Sequence, residues 1–267
     1  MQRIGKNPHL ISGLETIYMK KALGILISLA IIATASVSCK KDDTLRYNNA
    51  TMGNVRDGLI ISDQGNTFSV VEQNCPGDIN EMDRVLLVCD VLKETAEAKY
   101  DVRLNVLTSV LTKVPVAAET IEEDSELAVE DPIIIQDLWY SGGYINMLIA
   151  MPVKRSSETK HLINLIYENK EEGKYDFTLR HNAYTEVPDE DTESEYVMGR
   201  GYVSFPIADL IKEDKAKIKI SIKTYKTVGM GISLSEIEEV SKEYDWKRGG
   251  YEHAPKDIEA KSPMNIR

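Results

Sequence analysis

The chain has 267 residues, 43 acidic against 32 basic, for a net charge of −11, and three cysteines. That length suits two domains of ordinary size. So acidic a chain repels phosphate backbones and anionic lipid heads, which excludes nucleic acid as an expected partner.

The N-terminal stretch reads as a leader. Met19-Lys20-Lys21 supplies a start and a positive region, and Ala22 to Val37 is apolar and uncharged. Ser36-Val37-Ser38 then places small residues before Cys39. The apolar run is short for a spanning helix, which needs roughly 20 residues. Residues Met1 to Tyr18 fit no part of the pattern, so Met19 is the expected start. The arrangement resembles a bacterial lipoprotein signal, in which the cysteine carries acyl chains such as palmitate. The loose box resembles those of Bacteroidota-type bacteria. There a Lys-Asp-Asp run after the cysteine resembles a signal for the cell surface, and Lys41-Asp42-Asp43 fits it. The expected address is the outer membrane, lipid-anchored through Cys39 and facing either outward or the periplasm. Cleavage before Cys39 would remove four bases and one acid and move the net charge to −14.

Residues 39–53 read as a polar tether. A β-rich block is expected over 54–118. Leu59-Ile60-Ile61 and Phe68-Ser69-Val70-Val71 flank the turn signal Asp63-Gln64-Gly65-Asn66. Val85, Leu87, Cys89 and Val91 share one face of a strand, as do Val102, Leu104 and Val106 of another. Glu94 to Ala98 suggests a turn or a short helical piece. Short strands at this spacing suggest a small closed barrel. Residues 119–131 hold seven acids and no base, which reads as a linker. Residues 132–227 offer six or so further strands, the last alternating Ile218, Ile220 and Ile222 with charged or small residues. An antiparallel β-sandwich is the natural packing. Pro206 to Ile211 suggests a helical turn. In the tail, 228–267, Ser233 and Glu236 have capping-box spacing and Leu234, Ile237 and Val240 follow at near-helical period. A short helix from Ser233 to about Tyr244 is expected, then disorder.

The layout resembles the NigD-like family of Bacteroidota lipoproteins. The residues that carry it are the leader ending at Cys39, Asp83-Arg84-Val85, Tyr100-Asp101-Val102-Arg103-Leu104, and above all Trp139-Tyr140-Ser141-Gly142-Gly143-Tyr144-Ile145-Asn146. The resemblance implies an N-terminal OB-like barrel followed by a C-terminal β-sandwich, a loose association with bacteriocin operons and immunity, and no catalytic residues.

The sequence carries no hydrolase or phosphate-loop signature, so no catalytic residue, metal site or cofactor is expected. His161, His181 and His253 lie far apart, and His161 and His181 are expected at surface or strand-edge positions rather than as a metal pair. Asp189 to Glu195 is dense in acids and reads either as a solvated loop or as a Ca²⁺ loop. Cys89 reads either as a buried thiol or as bridged to Cys75. Trp139, Tyr140 and Tyr144 read either as a stacking platform for sugars or a partner, or as core and strand-edge residues. The functional expectation is a non-catalytic envelope lipoprotein binding a protein or peptide partner. The alternative is a glycan-binding surface module.

Overall fold

The computed structural model describes residues 45–189, 191–228 and 231–250. The leader, Cys39, Lys41-Asp42-Asp43, His253 and the expected disordered end of the tail lie outside the described residues.

Five strands close the first barrel: β1 (Leu45–Arg56), β2 (Leu59–Ser62), β3 (Thr67–Gln73), β4 (Arg84–Ala96) and β5 (Lys99–Ser109). Their order is β1-β2-β3-β5-β4, with β3 and β5 parallel, which is an OB-like barrel. The alternation that marked β5 places Val102 and Leu104 in the core. Val85, Leu87, Cys89 and Val91 of β4 point inward as expected. On the other face of β4, Arg84 and Leu86 are also buried, because the second domain packs there.

Two boundaries differ from the sequence expectation. Residues 45–53, expected as tether, already form most of β1, which pairs with both β2 and β4. Closure of the barrel needs this strand, although its Asn-rich composition resembles a linker. Residues 111–118, expected in the barrel block, belong with the second domain. There β6 (Leu111–Thr112) and β7 (Val116–Ala117) pair in parallel with later strands.

The second domain is a sandwich. One sheet has the order β6-β12-β9-β8 and the other β14-β13-β11-β10-β7. Its strands are β8 (Ile134–Ser141), β9 (Tyr144–Lys154), β10 (Leu162–Glu171), β11 (Lys174–Asn182), β12 (Tyr196–Pro206), β13 (Lys215–Val228) and β14 (Gly231–Lys247). The long pairings are mainly antiparallel, and β11 runs parallel to β13. Met147, Ile163, Phe177, Phe205 and Ile218 fill the space between the sheets. The acidic stretch before β8 is strapped to the sandwich. Arg180 Nη1 and Asn182 Nδ2 donate to the carbonyls of Leu127 and Glu126, and the Asp131 carboxylate accepts from the Ala183 amide at 2.8 Å. Residues 207–211 make the expected helical turn, with the Ile211 amide donating to the Ile207 carbonyl.

The expected helix at 233–244 is replaced by β14, which pairs antiparallel with β13 from Val228↔Gly231 to Lys215↔Lys247. A long ladder of backbone hydrogen bonds, broken only by a register shift between Tyr225 and Thr227, outweighs the weak preference of a Glu-rich segment for helix. Of the two readings of Glu94 to Ala98 the turn is found: β4 runs to Ala96 and Glu97-Ala98 make a tight turn, with Ala98 at φ 56°.

Candidate functional site

The aromatic motif of the β8–β9 hairpin lies at the joint between the two domains. Trp139 is 2% exposed and packs with Ala50, Met52 and Leu86 of the barrel. Tyr140 is buried in the sandwich core, edge-on to Tyr244. Tyr144 is half-buried, and the Arg84 guanidinium lies 3.8 Å from its ring centroid. The three therefore form no open stacking platform: Trp139 and Tyr144 hold the joint, and Tyr140 belongs to the sandwich core. Gly142 and Gly143, both at positive φ, turn the hairpin against Asp63 and Ala208. Around them Arg84 donates to Asp63, Asn54, Asn146 and Ser204. Ser141 Oγ donates to Asp63 Oδ2 at 2.5 Å and accepts from Asn146 Nδ2 at 2.9 Å.

The acidic loop at Asp189–Glu195 is closed by its own hydrogen bonds. Asp189 Oδ1 accepts from the amides of Asp191 and Thr192 and from the Thr192 hydroxyl. These bonds hold the Asp189 carboxyl below its ordinary range. Among the described residues no three His, Cys, Asp or Glu side chains come together as metal ligands.

The histidines overturn their expectation. His161 and His181 are buried, with ring planes 29° apart, and are joined edge to edge by a hydrogen bond of 2.9 Å between Nδ1 and Nε2. The β10–β11 hairpin sets this, since its register pairs Leu162 with Asn182. Cys75 and Cys89 are both free thiols. Cys89 is buried in the barrel core, and that burial pushes its thiol up to about 12.

The surface best built to receive another molecule was not singled out in the sequence. At one side of the sandwich both sheets end in an edge, β8 in one and β14 in the other. Between them opens a cleft of about 470 Å³, lined by Ile135, Leu138, Ile220, Ile222, Ile232 and Val240. Asp137, Glu238 and Lys242 stand among these apolar side chains. Among the described residues strand β14, 17 residues long, pairs on one side only. It exposes Ile232, Ile237 and Val240 by 41, 45 and 45%. Its sequence holds five acids, Glu236, Glu238, Glu239, Glu243 and Asp245, against Lys242 and Lys247. A long edge with apolar side chains is a template for another strand, and natural proteins usually blunt such edges. The signal for it was the apolar set Leu234, Ile237 and Val240, read with the wrong period.

Comparison with known proteins agrees with this architecture. Residues 115–233 match the NigD-like C-terminal beta sandwich domain, starting at the residue before β7. Three solved structures share the fold. A NigD-like immunity protein from Bacteroides caccae is 20% identical with a TM-score of 0.53, covering 74% of this chain and 96% of its own. A protein named toxin-related from Parabacteroides distasonis is 21% identical with a TM-score of 0.52, covering 74% and 91%. A protein named as a lipoprotein from Bacteroides fragilis is 14% identical with a TM-score of 0.51, covering 74% and 96%. No curated protein matches the chain.

Proposed function

From the match of residues 115–233 to the NigD-like C-terminal beta sandwich domain, we propose that the chain is a NigD-like, non-catalytic envelope lipoprotein that captures an extended segment of a protein or peptide partner along β14. Acyl chains on Cys39 would hold it at the outer membrane. A role in immunity, which the resemblance links to bacteriocins, is in keeping with the name of the Bacteroides caccae structure, a NigD-like immunity protein.

The observation that carries the reading is the edge of β14 beside the apolar cleft, which no other described strand pairs. A strand added there gains main-chain hydrogen bonds, and its alternate side chains enter the cleft. The excess of acids on β14 favours a cationic segment, both in encounter rate and in choice of partner.

Selection of short displayed peptides against the purified protein tests this. The expected outcome is enrichment of alternating apolar and basic sequences whose binding weakens with salt and is lost in Val240→Lys. Enrichment unaffected by Val240→Lys, or no enrichment at all, overturns the β14 site. Release of the protein from membranes by Cys39→Ala checks the anchor separately.

A further inference from the structure

The buried His161–His181 pair takes no part in the joint or the cleft, and its protons can be placed by elimination. His181 Nδ1 lies 3.1 Å from the Pro132 carbonyl oxygen, which can only accept, so this nitrogen carries a hydrogen. In the neutral ring, His181 Nε2 is then an acceptor. It takes the hydrogen of His161 Nδ1 across 2.9 Å, with Met151 Sδ at 3.1 Å as a weak second acceptor. That leaves a lone pair on His161 Nε2. It faces Glu186 Oε2 at 3.5 Å, and neither atom has a hydrogen-bond partner. Two acceptors thus confront each other in a site where His161 is fully buried.

The geometry also decides which cation suits the pair. The ring centres are 5.1 Å apart and the facing nitrogens 2.9 Å, a difference of about one ring diameter. The nitrogens therefore point along one line, as in a hydrogen bond, and do not converge on a third atom as metal ligands do.

We propose that the gap between His161 Nε2 and Glu186 Oε2 is a proton-binding site through which acidification clamps together the two loops that flank it. One proton from solvent is taken by the Nε2 lone pair, and the resulting N–H donates to the carboxylate. No existing bond breaks. His161 immediately precedes β10, at the end of the β9–β10 loop, and Glu186 lies in the β11–β12 loop. The other Glu186 oxygen already accepts from Ser157 of the β9–β10 loop. The same loops are also joined where the Arg155 amide donates to the Glu195 carbonyl at 3.0 Å. The new bond would complete this seam.

The charged surroundings set where uptake occurs. Asp131, ahead of β8, and Glu186 favour the imidazolium, while burial opposes it more strongly and holds His161 below the ordinary imidazole range. Glu186 also acts on Tyr196 at the start of β12, around which stand Asp189 of the loop and Glu195, which is paired with Lys154 of β9 at 3.0 Å. Tyr225 of β13 faces Asp131 and Tyr196. His181 is the nearest competitor for the proton, and burial together with His161 pushes it down to about 4. Both ring nitrogens of His181 are already engaged, whereas His161 Nε2 holds a lone pair facing a carboxylate, so uptake at His161 comes first.

Imidazole nitrogen NMR on the purified protein tests the assignment. At neutral pH His161 is expected as the Nδ1–H tautomer, gaining a proton at Nε2 as the pH falls. Backbone amide shifts in 155–160 and 183–189 should follow the same midpoint. In Glu186→Gln the carboxylate charge is gone, so the His161 midpoint should move lower, while the Gln amide donates to the lone pair and the loop shifts lose their pH dependence. An Nε2–H tautomer at neutral pH, or a His161 midpoint unmoved by Glu186→Gln, overturns the site. Loop amides that ignore the His161 titration overturn the clamp.

Discussion

Arg84 grips Asp63 with two parallel hydrogen bonds, Nη1 to Oδ1 at 2.9 Å and Nη2 to Oδ2 at 2.7 Å, and both side chains are 1% exposed. Asp63 sits in the β2–β3 turn and Arg84 opens β4, so the pair is internal to the barrel. Asn146 and Ser204 of the sandwich complete the guanidinium's donors, and Ser141 caps the carboxylate. The ion pair thus becomes the polar centre of the joint, satisfied from both sides. Its planar fork explains why arginine is used there, because lysine could not serve so many acceptors at once.

Removing one partner should cost far more than removing both. Asp63→Ala leaves a buried guanidinium without a counter-charge, and a loss of about 3–5 kcal/mol in unfolding free energy is expected. The double variant Asp63→Leu, Arg84→Met should recover much of that loss. Urea denaturation of Asp63→Leu, of Arg84→Met and of the double variant completes the cycle. Additive losses would mean that the pair is not coupled.

Two glycines separate backbone strain from collision. Gly65 has φ +87° with nothing within 4 Å of an added Cβ, whereas Gly142 has φ +58° and its added Cβ would run into the Asp63 side chain. Gly65→Ala should cost on the order of 1–2 kcal/mol, the ordinary penalty for an L residue in the left-handed region. Gly142→Ala should cost clearly more, and the excess should shrink when Asp63 is already Ala. Equal losses at the two positions, read from denaturation midpoints, would refute the close approach.

These examples show what could be read from the chain. β5 and β13 were legible because one face is buried and the other is not, which writes period two into Val102-Leu104 and Ile218-Ile220-Ile222. β14 was not, because both its faces are largely exposed and no core disciplines its pattern. In β4 the off-phase Leu86 was the unused signal that its second face is covered. Trp139 to Asn146 stood out correctly as a motif, yet its residue types could not tell a joint from a binding platform. The histidine pair needed the β10–β11 register, which the separate strand assignments did not supply.

Acid should destabilise the fold through His181. Its folded value of about 4 lies below the ordinary imidazole value near 6.5, so the unfolded chain binds the extra proton more readily. The stabilisation is full above pH ~6.5 and falls as the pH drops towards about 4, by up to ~3 kcal/mol at 1.36 kcal/mol per unit. Unfolding free energies measured across this window should decline, with a shallower decline in His181→Phe. An identical slope in the variant would assign the loss to other groups.

The two thiols should differ sharply in reactivity. The thiolate is the reactive form, and burial raises the pKa of both cysteines, far more for Cys89 than for the half-exposed Cys75. In Cys39→Ala protein at mildly alkaline pH, an alkylating reagent should label Cys75 rapidly. Cys89 should be modified only at the rate at which the barrel opens, and both should react at once in denaturant. Mass spectrometry of the labelled peptides reads this directly. Recovery of a Cys75–Cys89 crosslinked peptide from unreduced protein would contradict the free thiols, and fast labelling of Cys89 under native conditions would contradict its place in the barrel core.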